Sequence, residues 1–249
     1  MSYKVVIIVP CFNEAKRLNR NYFESLSRIN KTLWIFVDDG STDNTIQILQ
    51  ELSKIRNIDF LHISQNVGKS RAIVYGMRHV FSTYKDITWL GFLDADAAFS
   101  KLDVETIISK TGLIGQFDAI YSSRVKLAGR KILRSKTRHL LARIIATIFG
   151  LVWKEIPYDT QSGFKLYRTD KFSDLLLLEP FRTRWFFDIE LSMRFSKINR
   201  SNMLVWEEPV YSWTDIPGTK LNIRQSFVVL KDISYIISLM IRQRREINN

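Results

Sequence analysis

The sequence predicts an α/β fold around a mostly parallel sheet. Three observations carry that prediction: apolar β-branched runs recur through the first hundred residues, each is followed by a stretch with helical spacing, and the connections are short. The chain has 249 residues, long enough for one sizeable domain. With 46% hydrophobic and 25% charged residues it reads as globular rather than disordered.

The run "KVVIIVP" is a strand buried on both faces. "CFNEAKRLNRNYFESLSRI" has helical spacing, with Leu18, Tyr22, Leu26 and Ile29 on one stripe. "LWIFVDDGSTDNT" is a second strand that breaks at Gly40, and its Ser41-Thr42-Asp43 cluster suits capping of the helix "NTIQILQELSKI". "IDFLHIS" is a third strand, "GKSRAIVYGMRHVFSTY" a third helix and "ITWLGFLDADA" a fourth strand. "FDAIYSSR" is a further strand, and residues 130–153 form a basic stretch that becomes strongly apolar. "YDTQSGFKLYR" is a polar loop entering a strand, and "WFFDIELSMRFSKI" is a helix. Internal repeats and low-complexity linkers are absent. The expected division is a main domain over 1–225 and a C-terminal amphipathic, basic helix over 226–249.

Lys and Arg number 37 against 25 Asp and Glu, a formal charge of +12 that favours an anionic partner. The basic residues are scattered and match no nucleic-acid-binding motif, which counts against a nucleic-acid-binding protein. The single cysteine, Cys11, excludes an intrachain disulfide and reads as a small core residue. The N-terminal apolar run is too short for a signal peptide, and no run of about eighteen apolar residues predicts a membrane span. A soluble or peripheral protein of the cytoplasm is expected.

In open parallel sheets, ligands bind outside the carboxyl ends of the strands. Here those ends carry Pro10, Asn13 and Glu14; Asp38 and Asp39; Asn66, Gly68 and Lys69; and Asp94 and Asp96. Acids gathered on one rim repel unless something positive sits among them. A divalent cation completed by substrate phosphates is the usual answer. Lys69 and the amides after Gly68 are suited to holding a phosphate. Asp38-Asp39 taken alone would pass as turn chemistry, and "NVGKS" lacks the spacing of a Walker loop. Four strand ends with compatible chemistry exceed what capping explains.

The segments "VVIIVPCFNEAKRL", "FVDDGSTDNT", "NVGKSRAIVYGM" and "FLDADAAF", in this order, resemble the family 2 glycosyltransferases of the GT-A fold. "YSSR", "DTQSGFKLYR", "WFFDIELSMRF" and "PGTKL" extend the resemblance to the polyprenyl-phosphate branch, the dolichyl-phosphate glucosyl- and mannosyltransferases. It covers most of residues 4–221. The resemblance implies that Pro10, Phe12, Asn13 and Glu14 grip the nucleotide, that Asp38 and Asp39 hold its base end, and that Gly68 and Lys69 lie at the phosphates. It implies that the D-x-D turn, Asp94-Ala95-Asp96, places Mg²⁺ or Mn²⁺ on the diphosphate of a UDP- or GDP-hexose, with Asp96 the closer ligand. It also implies inversion at the anomeric carbon. Relatives commonly carry a polar residue two positions after the second aspartate; here it is Ala98, which cannot ligate. The ion then relies on Asp94, Asp96, phosphates and water, or it binds more weakly.

A polyprenyl phosphate is itself an anionic nucleophile, so it needs positive charge more than a strong base. Arg124, Arg138 and Lys220 are the candidates, with Arg138 chosen among Arg130, Arg134 and Arg138. For a sugar-hydroxyl acceptor, Asp188 or Glu190 becomes the candidate base. For a lipid phosphate, Asp188 and Glu190 instead shape the donor-sugar pocket with Gln161 and Ser162. Trp185 suits either sugar stacking or the core. The basic amphipathic stretches suit an anionic membrane surface, or simply cover the sheet. Alternatives are a family 2 enzyme elongating a surface polysaccharide and a silent relative that only binds nucleotide. Neither the sugar nor the oligomeric state follows from the sequence.

Overall fold

A computed structural model of the chain describes residues 3–134, 143, 146, 147, 150, 157–177, 181–184, 186–199, 201, 203–214 and 223–248. The strands are β1 (Val5–Cys11), β2 (Thr32–Asp39), β3 (Ile58–Ile63), β4 (Trp89–Leu93), β5 (Ala119–Ser123), β6 (Lys131–Leu133), β7 (Phe164–Arg168), β8 (Val205–Pro209) and β9 (Ser212–Thr214). The helices are α1 (Arg20–Leu26), α2 (Thr45–Leu52), α3 (Lys69–Thr83), α4 (Lys101–Lys110), α5 (Thr169–Leu177), α6 (Phe187–Asn199) and α7 (Ile223–Asn248).

Seven strands form one sheet in the order β3-β2-β1-β4-β7-β5-β8. All neighbours are parallel except β7, which runs antiparallel between β4 and β5. β6 and β9 make a separate parallel pair. β1 and β2 are interior strands and bury alternate residues on both faces, as their unbroken apolar runs require.

One face carries Ile7, Val9, Trp34 and Phe36 against Phe23, Leu49, Val104 and Ile107 of α1, α2 and α4. The other carries Val6, Ile8, Ile35 and Val37 against Ile73, Met77, Phe172, Leu191 and Phe195 of α3, α5 and α6. Each fully buried side chain of this size contributes roughly 1.5–3 kcal/mol, so the two-sided core fixes the register of the rim above it. A third cluster, Phe186, Ile189, Met193, Ile236 and Met240, lays α7 on the outside of α6.

Some expectations need correction. The first helix is confined to Arg20–Leu26; the segment from Phe12 to Asn19 is a turn that carries polar rim residues, although Leu18 still packs into the core. The second is likewise shorter, Thr45–Leu52. Its Asn44 N-cap makes no side-chain cap bond, and Asp43 Oδ1 instead accepts from the Thr45 N–H at 3.0 Å. Helices α4 and α5 and strands β6, β8 and β9 had no counterpart in the sequence reading. α7 begins at Ile223, so the 225/226 division falls inside it. The apolar part of the 130–153 stretch lies largely outside the described residues.

Candidate active site

After β1 the chain turns through Phe12, which is 44% exposed, and Asn13, which takes a left-handed φ of 54°. The Asn13 N–H donates to Ser41 Oγ (2.9 Å), and its Oδ1 accepts from the Thr42 N–H (2.8 Å), so Asn13 stitches the β1 turn to the β2 turn. Glu14 is buried; its N–H donates to Thr45 Oγ1 (2.8 Å), and Arg17 Nε donates to its carboxylate (3.0 Å). Cys11 is buried beneath, and burial, Glu14 and Asp38 all push its thiol pKa well up, which makes it an inert core residue.

Asp38 is fully buried and lies 2.8 Å from His62 Nδ1 on β3, while the Ser41 N–H approaches both its oxygens at 3.3 Å. Asp39 accepts from the Val67 N–H (2.7 Å), the Gly68 N–H (2.9 Å) and Asn66 Nδ2 (3.1 Å), so its carboxylate shapes the turn that starts α3. Burial raises its pKa against the pull of those donors, and Asp38 adds to the rise.

β4 ends at the D-x-D turn. The Asp94 N–H donates to the Gly163 carbonyl (2.9 Å), and the Asp94 carboxylate lies against Gly163, where any Cβ would overlap it. Lys69 Nζ is 2.5 Å from Asp94 Oδ1, an ion pair off the hydrogen-bond axis. Ala95 is buried, and Asp96 Oδ1 accepts from the Ala98 N–H (3.1 Å), so Ala98 contributes its backbone where its side chain cannot. Burial and then the Asp94 charge raise the Asp96 pKa.

Two neighbouring carboxylates, Asp94 paired with Lys69 and Asp96 disfavoured as an anion by burial and by Asp94, are an arrangement a divalent cation would relieve. Among the described residues no group of three His, Cys, Asp or Glu is placed to hold a metal, so Asp94 and Asp96 would supply two ligands and phosphates and water the rest.

On the other side of β4, Arg124 follows β5 and lies under the loop before β7. Its Nε and Nη2 donate to Asp159 (2.6 and 2.8 Å), its Nη2 also to the Gln161 carbonyl (2.7 Å), and it stacks on Trp213. Burial would raise the Asp159 pKa, but the Arg124 charge and hydrogen bonds, with Arg134 beyond, hold it at about 2. Ser162 is buried against Ser122. Lys165, fully buried on β7, donates to the Thr160 carbonyl (2.6 Å) and to Asp188. Burial pulls the Lys165 pKa well down, with the Asp159 charge opposing. Glu190 accepts from the Arg182 and Thr183 N–H groups (3.1 and 2.9 Å) and from Arg194 (2.8 Å), which occupies it structurally.

The structure thus brings Asn13, Glu14, Asp38, Asp39, Gly68, Lys69, Asp94 and Asp96 to one rim, and Arg124, Gln161 and Ser162 to its neighbour. Arg138, Trp185 and Lys220 lie outside the described residues. The sequence reading missed Asp159, His62, Lys165 and Arg184. For Lys165 a signal existed, since a lysine inside the apolar run "FKLYR" must find a buried partner.

Residues 6–176 match the model of the family described as Glycosyl transferase family 2. The chain is 29% identical over 255 residues to the dolichyl-phosphate beta-glucosyltransferase of Saccharomyces cerevisiae, covering 92% of this chain and 73% of that protein. It is 30% identical over 238 residues to the human protein of the same description, covering 86% and 68%. Its fold matches glucosyl-3-phosphoglycerate synthase from Mycobacterium tuberculosis in complex with uridine diphosphate, at TM-score 0.68 and 14% identity, covering 96% of this chain and 80% of that one. It also matches a mannosyltransferase from Pyrobaculum calidifontis in complex with GDP-Man and Mn²⁺, at TM-score 0.65 and 13% identity, covering 97% and 65%.

Proposed function

The chain belongs to glycosyl transferase family 2 and is a glycosyltransferase of the GT-A fold; from that premise we propose that it transfers a hexose from a UDP- or GDP-sugar to a polyprenyl phosphate, with inversion. Glucose is the favoured sugar, because the relatives that span most of the chain are described as dolichyl-phosphate glucosyltransferases. The observation that carries the reading is the Asp94–Asp96 turn, where two carboxylates meet at the mouth of the sheet and only Asp94 is ion-paired, to Lys69, among the described residues.

Asp96 and Asp94 would hold Mg²⁺ or Mn²⁺, which when bound would supply charge stabilisation to the departing nucleoside diphosphate. Lys69 and the amides after Gly68, at the start of α3, hold the phosphates, Pro10, Phe12, Asn13 and Glu14 flank the nucleotide, and Asp38 and Asp39 lie at its base end. Lys165 keeps the Asp188 carboxylate in one place, which suits a wall of the sugar pocket, with Gln161 and Ser162, better than a mobile base. Arg124 is held on the acceptor side by its ion pair with Asp159, which offsets its charge, so Arg138 and Lys220 of the candidate set supply the further positive charge the acceptor phosphate needs.

Among the described residues no helix is long and apolar enough to cross a membrane. α7 presents Leu230, Ile237 and Ile241 outward with Arg242 beside them, a stripe suited to resting on an anionic membrane surface from the cytoplasmic side.

Radiolabelled UDP-glucose and GDP-mannose, each with undecaprenyl or dolichyl phosphate, test the reading. Label should enter a mild-acid-labile lipid, and Asp96→Asn should reduce the rate by at least about 10²–10³, the effect of removing one charge-stabilising group. Absence of lipid label with every donor overturns the lipid acceptor. Label appearing instead on a glycan would assign the chain to polysaccharide elongation.

A further inference from the structure

We infer that the C-terminal helix α7 is a working part of the donor site: Asp232 fixes Arg184 so that its guanidinium lies over the Gly68–Lys69 turn as a second cation for the donor diphosphate. The inference rests on the reading that this turn receives the diphosphate.

Asp232 is 5% exposed and lies on the same face of α7 as Ile236 and Met240, the residues that pack on α6. A carboxylate on a buried apolar face is costly unless it is hydrogen-bonded. Asp232 Oδ2 accepts from the Arg184 N–H at 2.7 Å, across 48 residues of sequence. The Arg184 carbonyl in turn accepts from Ser70 Oγ (2.6 Å), and Ser70 is buried in the first turn of α3. Just upstream, the Arg182 and Thr183 N–H groups are held by Glu190 of α6. Three helices therefore fix the backbone at Arg184.

Its side chain is exposed and extends over Gly68. A Cβ added at Gly68 would lie 3.0 Å from Arg184 Nε and 3.2 Å from Nη2, and Gly68 has a φ of +92°. Glycine there accommodates both the turn and the arginine above it. Among the described residues no carboxylate lies within ion-pair distance of that guanidinium, while Lys69 is already paired with Asp94. A guanidinium on a fixed backbone, within the field of Asp39 but outside ion-pair distance of it, next to helix-start amides, matches the planar donor geometry that phosphate oxygens accept. Arg184 would touch the donor; Asp232 is a positioning residue acting through it.

Calorimetric titration of the full chain with UDP, GDP, uridine and guanosine, with Mn²⁺ present, tests this. Arg184→Ala should weaken the preferred nucleoside diphosphate by about tenfold or more, as expected for a lost charge-assisted hydrogen bond, and leave the nucleoside unchanged. Asp232→Ala should produce a smaller loss of the same selectivity. Asp232→Asn keeps an acceptor oxygen for the Arg184 N–H and should recover most of it, with a melting temperature near that of the unaltered chain. If Lys69→Ala weakens diphosphate binding while Arg184→Ala does not, the inference fails and the proposed function stands. It fails too if Arg184→Ala weakens diphosphate and nucleoside equally. If the unaltered chain binds neither diphosphate, the functional reading falls with it.

Discussion

Asp39, at the end of β2, has its carboxylate answered by the backbone N–H groups of Val67 and Gly68, whereas Asp159, before β7, has its own answered by the Arg124 guanidinium. Both are buried, yet their acidities move in opposite directions. The Asp39 pKa is raised because backbone donors and the Arg184 charge, which makes no ion pair with it, do not offset burial and the nearby Asp38; the Asp159 pKa falls to about 2 because Arg124 pairs with it directly. The same contrast runs through the two halves of the molecule. The nucleotide side, β1 to β4, pairs Glu14 with Arg17 and Asp94 with Lys69 but, among the described residues, leaves Asp39 and Asp96 without an ion pair, so negative charge remains there for a cation to meet. The side built on β5, β7 and β8 is internally neutralised, through Arg124–Asp159, Lys165–Asp188 and Arg194–Glu190. One half is shaped to receive charge and the other to hold its groups rigidly.

The largest test of that contrast removes a partner from the neutralised side. Asp159→Ala leaves Arg124 buried without its carboxylate and should cost about 3–5 kcal/mol in urea unfolding at pH 7. The pair should also show in the pH dependence. Its carboxylate has a folded pKa of about 2, below the roughly 3.9 of an unfolded aspartate. The stabilisation is therefore fully present above about pH 4 and is lost as pH falls toward 2, amounting to roughly 2–3 kcal/mol. The Asp159→Ala variant should lack that part of the acid slope. An unchanged slope would show that Asp159 is not held by Arg124 in solution.

The two halves also differ in how much of them could be read from sequence. The nucleotide side was legible because its signals are local: an apolar run such as Val5–Val9 marks a strand, and the polar residues that follow it mark the rim. Even there, the sequence could not show that the Asp39 oxygens are spent on the α3 turn, since Val67 and Gly68 offer only backbone. The other half is assembled from contacts between residues 35, 23 and 48 positions apart, Arg124 with Asp159, Lys165 with Asp188, Arg184 with Asp232. No periodicity or motif spacing encodes such pairs. Ser100 shows the opposite case, a legible signal that was passed over: its Oγ accepts from the Asp103 N–H and donates to the Asp103 carboxylate, a capping arrangement visible as S-x-x-D before an apolar run.

A smaller disturbance strikes the seam where the halves meet. Gly163, beside β7, leaves the space that the Asp94 carboxylate fills, so Gly163→Ala must push that carboxylate aside. Asp94 is a side chain able to rotate, so stability should change little. A misplaced reacting group costs on the order of 10²-fold in rate, and sugar transfer should fall by about that much while the melting temperature stays within a few degrees. A variant with unaltered transfer would show that the position of Asp94 does not limit the reaction.

The smallest effect probes whether the nucleotide side is held by its turns alone. Asn13 combines a left-handed φ of 54° with an acceptor for the Thr42 N–H. Asn13→Ala loses both and should cost about 1–2 kcal/mol, the left-handed penalty for a residue with a Cβ and no local hydrogen bond. Asn13→Gly restores the backbone freedom but not the stitch, so it should fall between the two in urea unfolding. Nucleotide affinity then separates two roles. If Asn13 only joins the β1 and β2 turns, affinity in the two variants should follow their stabilities. If it also touches the donor, as proposed, both should lose affinity equally, because each lacks the same amide. A glycine variant with the affinity of the unaltered chain would assign Asn13 to the scaffold and leave the donor to Asp38, Lys69 and the D-x-D turn.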